Sequence, residues 1–385
     1  MSLPFERLRR TPDVEGPGLV AVDAADRLLL DESAARRAAC ASEDLVVIGD
    51  AYGALALGCA WESSAGCRAV RVHQDSLTGE RALAANAARF PERPDLGRRV
   101  AASPTLDADL VRGARVVLLR LPRSLDALRD IAALIAAHAD PDVVVYAGGR
   151  IKHMSVAMNA VLGECFSRVD VTHARQKSRV LIAHGPHDGH DPRPDAASLD
   201  TPGDIALELR AFGGAFGGAR LDAGTRLLLA HLPARIAGGG PDDPFVDLAC
   251  GTGVIGAWLA LRHSQAFVWS SDPSAAAIAS ARATAAANHV DERVRVVRDD
   301  ALSLRPAGSA SFLTLNPPFH SGAAVTDRIA PHLFADAARV LRPGGELWCV
   351  WNSPLGYRPM LERLVGPTRQ VARDPRFTVT VSTRR

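Results

Sequence analysis

From residue 244 onward, short apolar runs recur, each closed by a polar residue. Phe245-Val246-Asp247-Leu248, Ala266 to Ser271 and Ser311 to Leu315 read as buried strands, and Val294-Arg295-Val296-Val297-Arg298 alternates as a strand. Between them, Val254 to Leu261 and the alanine-rich Ala275 to Asn288 read as helices. Alternation of strand and helix predicts an α/β fold around a largely parallel sheet. Four successive strand ends then carry Asp247, Asp272, Asp300 and Asn316. In open α/β sheets ligands bind at the carboxyl ends of the strands, so these four polar residues predict a binding site.

The first half repeats the pattern in worn form. Asp44 to Ile48 reads as a strand, Gly49-Asp50-Ala51-Tyr52-Gly53 as a loop, and Ala54 to Trp61 as a helix. Val47 stands where Asp247 would, and Ala51 where Gly251 would. Arg115 to Leu119 reads as another strand, followed by Arg120-Leu121-Pro122-Arg123. The strand pattern survives while the polar strand ends are lost, which predicts a second fold of the same kind without catalysis. His184 to Pro194 is rich in breakers and poor in apolar residues. The expected division is therefore a degenerate domain over 1–184, a linker over 185–201, and a catalytic domain over 202–385. The spacing of His184, His187 and His190 invites a metal, but the prolines and glycines around them favour a linker.

Composition narrows the classes. At 385 residues the chain exceeds what one hydrophobic core usually supports. No apolar run reaches the roughly 18 residues of a membrane span. Met1 to Arg10 is charged and lacks an apolar core, so no signal peptide is expected. The six cysteines form no C-x-x-C pair, which fits reduced thiols and a cytoplasmic setting. A net charge of +2 argues against a blanket electrostatic grip on nucleic acid, though not against a local patch.

The chemistry is densest at Asn316-Pro317-Pro318-Phe319. An Asn oxygen at the tip of a strand can accept one hydrogen of a planar amine, and the Pro317 carbonyl the other. Phe319 offers a face on which a flat base can stack. Upstream, Ala249-Cys250-Gly251-Thr252-Gly253-Val254-Ile255-Gly256 reads as a glycine loop opening a helix. Its glycine spacing also fits a dinucleotide site, so spacing alone does not decide. Asp247 in the preceding strand suits a ligand with a cationic amino-acid end and would repel a pyrophosphate.

On these residues the second half resembles class I S-adenosylmethionine-dependent methyltransferases. More narrowly, the chain resembles the bacterial ribosomal RNA guanine-N2 methyltransferases with two tandem Rossmann-like domains, the first degenerate. The likeness runs through the lead-in Gly214 to Thr225, the glycine loop and Asn316 to His320. Ala324 to Ala330, Leu341 to Leu347 and Leu118 to Leu181 lean toward the large-subunit branch. One departure is Ala249, where the family usually has glycine; a methyl is tolerable there if the backbone angle is negative.

The resemblance implies that Asn316, Pro317, Pro318 and Phe319 form the catalytic set. It implies S-adenosylmethionine as cofactor, with Gly251 and Gly253 along its methionine and ribose end and Asp247 on its amino group, directly or through water. Asp272 is expected on the ribose hydroxyls, Asp300 with Ala301 at the adenine, and Phe216, Asp222 and Thr225 on the cofactor side. Ribosomal RNA is the implied partner, of the large subunit in preference to the small, and a monomer is expected. Candidate RNA contacts are Arg120, Arg123, Arg150, Lys152 and His320, with His153, Arg175, Lys177 and Arg179 behind them; His320 is alternatively a proton acceptor. The arginines of the arm up to Leu19 are left as RNA-facing or disordered. Methylation of a protein glutamine or a DNA adenine, and an RNA chaperone without turnover, are the competing readings.

Overall fold

The computed structural model describes residues 2–62, 69–318 and 323–385, with side chains from residue 329 onward in the last stretch. The chain divides into two units, Met1–Arg193 and Pro194–Arg385.

In the first unit the strands are β1 (Leu45–Ile48), β2 (Val70–His73), β3 (Val100–Ser103), β4 (Val116–Arg120), β5 (Val144–Arg150), β6 (Phe166–Val171) and β7 (Ser178–Pro186). They form a sheet of order β3-β2-β1-β4-β5-β7-β6. The first five are parallel, and β7 runs antiparallel to both β5 and β6. The second unit opens with a hairpin, β8 (Asp195–Thr201) and β9 (Ile205–Ala211). Its sheet comprises β10 (Phe245–Leu248), β11 (Val268–Asp272), β12 (Val294–Arg298), β13 (Ala310–Leu315), β14 (Leu341–Asn352), β15 (Thr368–Arg373) and β16 (Phe377–Thr383). The order is β12-β11-β10-β13-β14-β16-β15, the same topology with β16 antiparallel.

Alternation along the strands explains why both faces are covered. Phe245 and Phe312 pack with Ile255, Trp258, Ile278 and Leu228, from the helices Val254–Arg262, Ala275–Ala287 and Ala223–His231. Their neighbours Val246 and Leu313 point the other way, onto Phe334 and Leu361 of the helices Ala323–Val340 and Arg358–Leu364. Trp258 is fully buried and donates from Nε1 to the Pro202 carbonyl at 3.0 Å. Burying an indole of this size contributes about 4–6 kcal/mol.

The stretch 185–201, expected as a linker, carries structure at both ends. β7 continues to Pro186, and β8 begins at Asp195. Its partner β9 then docks along the helix Ala275–Ala287. The N–H groups of Phe212, Arg210 and Glu208 donate to Ser280 Oγ (3.0 Å), Thr284 Oγ1 (3.1 Å) and Asn288 Oδ1 (2.9 Å). Two strand residues span about 6.6 Å and four helix residues about 6.0 Å, so polar side chains four apart meet alternate strand amides.

The N-terminal arm is docked on the first unit. Arg10 pairs with Asp13 at 2.7 Å and stacks on Tyr52, and Asn86 bonds the Arg9 backbone through both its amide atoms. Cys40, Cys59, Cys165, Cys250 and Cys349 are free thiols. No helix among the described residues is long and apolar enough to cross a membrane.

Candidate active site

β10 and β13 are neighbours in the sheet, and from that junction the order runs outward in both directions. Their carboxyl ends flank the crevice where such sheets bind ligands. The loop after β10 and Asn316-Pro317-Pro318 after β13 therefore face one another across the register pair Leu248↔Leu315.

The loop is held from beneath. Asp247 is 0% exposed; its Oδ2 accepts from the Gly256 N–H at 2.9 Å and its Oδ1 lies 3.5 Å from Thr314 Oγ1. Burial pushes its carboxyl up to about 7. Asp247 is fully buried beneath the loop, with both carboxylate oxygens turned to groups within the protein. It ties the start of the helix Val254–Arg262 to the sheet. Gly253 has φ +80°, and a Cβ there would meet Ala281 Cα at 2.8 Å. At Gly251, φ +53°, an added Cβ would enter open space. Ala249 has φ +57°, so the condition under which a methyl is easily tolerated there, a negative backbone angle, is not met. An alanine in this left-handed region costs roughly 1–2 kcal/mol.

Asp272 ends β11 half-buried, accepting from the Gly251 N–H at 3.1 Å and the Ser274 N–H at 2.9 Å. It thus joins the glycine loop to the next helix start. Asp300 lies half-buried past β12, 3.2 Å from His332 Nε2. The Asp300 carboxylate raises the proton affinity of His332 above its ordinary value, against the opposing effect of burial. The strand pattern gave no signal for His332, which comes from the helix Ala323–Val340. Ala301, 3% exposed and also left-handed at φ +53°, accepts from Ser271 Oγ at 3.0 Å.

Asn316 is fixed by residues expected on the cofactor side. Asp222 is the N-cap of the helix Ala223–His231, accepting from the Thr225 N–H at 3.0 Å. Asn316 Nδ2 donates to Asp222 Oδ2 at 3.1 Å and to Thr225 Oγ1 at 3.0 Å. The opposite amide atom, Asn316 Oδ1, is buried with no hydrogen-bond partner among the described residues. Leaving such an acceptor unmade costs about 1–3 kcal/mol, and native exceptions of this kind often mark function. Pro317 is buried and Pro318 exposed. Phe216 is 64% exposed on the lead-in loop. Phe319 and His320 lie outside the described residues.

The first unit places different chemistry on the same frame. Val47 pairs with Leu118 as Asp247 pairs with Thr314, so Arg120 holds the position of Asn316. Arg120 reaches Asp23 Oδ1 at 2.8 Å and Asp26 Oδ1 at 2.7 Å, the N-cap and third residue of the helix Ala24–Ala38. Its charge is spent internally, which corrects its expected role as an RNA contact. Burial pushes Asp26 up to about 7, while at Asp23 burial is outweighed by Arg120, which holds that carboxyl below its usual range. In the loop, Asp50 is 1% exposed and accepts from the N–H groups of Gly53 (3.1 Å) and Ala56 (2.8 Å). A carboxylate thus occupies the loop itself, where the second unit keeps its acid below in the strand.

Beyond Arg120 the strand ends are basic. Arg123 and Lys152 are exposed, and among the described residues neither has an ion-pair partner. Arg150 is half-buried with its Nε unbonded. Burial lowers the proton affinity of His153, and so do the charges of Arg123, Lys152 and Arg150, which places these groups in one field. Arg175, by contrast, pairs with Asp31 at 2.9 Å.

A doubly wound sheet with this glycine loop and a strand ending in Asn-Pro-Pro defines a class I methyltransferase. Residues 206–381 match the family described as Methyltransferase small domain, and residues 3–187 match the RLMG N-terminal domain. The chain is 34% identical to ribosomal RNA large subunit methyltransferase G of Streptomyces avermitilis, over 97% of this chain and 95% of that protein. It is also 34% identical to the protein of that name from Pseudomonas aeruginosa UCBPP-PA14, over 98% and 97%. Among solved structures it resembles a T. thermophilus 16S rRNA N2 G1207 methyltransferase in complex with AdoMet and guanosine, with TM-score 0.75, 20% identity, and 97% of both chains covered. That last likeness concerns the fold alone. The chain belongs to the ribosomal RNA large subunit methyltransferase G family. The resemblance drawn from the residues to the large-subunit branch is borne out.

Proposed function

We propose that the second unit transfers a methyl group from S-adenosylmethionine to the exocyclic N2 of a guanine in large-subunit ribosomal RNA, in the cytoplasm, and that the first unit holds the RNA. The names of the full-length relatives support the reaction and the branch. The observation that carries the site assignment is the buried Asn316 Oδ1 at the strand tip, unpartnered among the described residues.

The loop residues fit the cofactor: Gly251 leaves open space beside the loop, and Asp272 stands half-exposed at the end of β11. S-adenosylmethionine supplies an electrophilic methyl on its sulfonium. Gly251 and Gly253 would line its methionine and ribose end, Asp272 would take the ribose hydroxyls, and Asp300 with Ala301 would face the adenine. Asp247 acts through the loop. Asn316 Oδ1 accepts one hydrogen of the guanine amine and the Pro317 carbonyl the other, while Phe319 stacks the base. As positive charge develops on the nitrogen, these two oxygens stabilise it, a contribution realised mainly in the transition state. His320 takes the proton afterwards or contacts phosphate. Arg123, Arg150 and Lys152 hold phosphates of the RNA, positioning it without reading sequence.

The test is transfer of labelled methyl by the full chain to protein-free 23S and 16S rRNA, with nucleoside analysis and an Asn316→Ala control. N2-methylguanosine on 23S rRNA alone, reduced about 10²- to 10³-fold in the variant, is the expected result. Product on 16S rRNA alone assigns the small subunit instead. No product on either RNA or on subunit precursors, with cofactor binding intact, overturns the reading.

A further inference from the structure

We infer that Asp222 is a positioning residue: it dictates which end of the Asn316 amide faces the substrate amine. The inference rests on the proposed function and adds to it the group that sets the polarity of the site. A carboxylate only accepts hydrogen bonds, so Asp222 Oδ2, 3.1 Å away, demands the Nδ2 end of Asn316. Thr225 Oγ1, at 3.0 Å, takes the second Nδ2 hydrogen. Turning the amide over would set Oδ1 against the Asp222 carboxylate and present two N–H donors to a substrate group that itself donates. The lock leaves Oδ1 as the acceptor, unpartnered among the described residues.

The internal duplication supports this independently. In the first unit, the residue at the same register position, Arg120, is held by the N-cap and the third residue of the corresponding helix, Asp23 and Asp26. Contact from helix cap to strand tip is therefore built into the fold. What differs is the pair of acceptors. Two acids match a guanidinium, whereas one acid and one hydroxyl match the two hydrogens of a neutral amide and spare its oxygen.

Asp222→Asn separates this role from capping, because asparagine caps a helix about as well as aspartate. The amide introduced by that substitution can donate to Asn316 Oδ1 and so permits the wrong orientation. The expected result is a kcat lower by about 10- to 100-fold, with cofactor affinity and melting temperature close to wild type. Thr225→Ser should keep the rate and Thr225→Val should lose it, an independent reading that leaves the cap intact. A wild-type kcat in Asp222→Asn and Thr225→Val, alongside an inactive Asn316→Ala, would reduce Asp222 to a cap and overturn the inference while leaving the proposed function standing. An active Asn316→Ala would instead strike at the functional reading itself.

Discussion

The two units share a strand order and a cap-to-strand contact, yet one buries charge where the other leaves an acceptor open. In the second unit the tip of β13 presents Asn316 Oδ1 without a partner among the described residues. In the first, the tip of β4 is closed by Arg120 with Asp23 and Asp26, and the loop after β1 is filled by Asp50. Val47 and Gln74 stand in register where the second unit has Asp247 and Asp272. A fold of this kind thus tolerates wholesale exchange of its ligand-side residues, and in the first unit the carboxylates at these positions find local partners. The same positions thus carry an ion pair in one unit and a neutral amide in the other.

The comparison breaks most sharply at Arg120. Arg120→Met strands two carboxyls and should destabilise the first unit by about 3–5 kcal/mol. Urea unfolding of the full chain should show this loss, while calorimetry finds cofactor affinity of the second unit unchanged. A midpoint equal to wild type would mean the ion pairs carry no stability.

The next contrast is in pH. Asp247 titrates near 7 in the folded unit against an ordinary 3.8, raised by burial, so the folded state binds its proton more tightly than the unfolded chain. Its contribution is full below about 3.8, declines as pH rises toward 7, and is flat above. Asp50, also raised by burial, acts in the same direction in the first unit. Asp247→Asn should flatten the fall in urea midpoint between about pH 4.5 and 7.5; an unaltered slope would place the titration elsewhere.

The basic edge of the first unit offers a milder contrast. Replacing Arg123 and Lys152 with alanine should weaken rRNA binding and reduce the slope of log affinity against log salt by roughly one for each phosphate no longer neutralised. Filter binding at several salt concentrations measures it, and an unchanged slope would assign the RNA contacts to other residues.

The smallest effect expected is at Ala249, whose counterpart Gly49 has φ +78°. Ala249→Gly removes a left-handed alanine and should stabilise the second unit by about 0.5–1 kcal/mol. Thermal melting would show a small rise; a fall would mean that the Ala249 methyl packs favourably enough to outweigh its backbone cost.

The sequence by itself determined the element types and the doubling of the unit, and it singled out the strand ends where the site is proposed. Apolar runs report burial through their period, glycines mark the loop, and the polar strand ends need only be counted in order. It did not reveal that Asp222 and Asn316 meet across 94 residues, that Arg120 is closed by Asp23 across 97, or that His332 reaches Asp300. It also misjudged the structure at the two ends of residues 185–201. Local pattern encodes which face is buried and where the chain turns. Which two polar groups satisfy one another depends on how strands are ordered and registered, and that is settled only when distant segments pack.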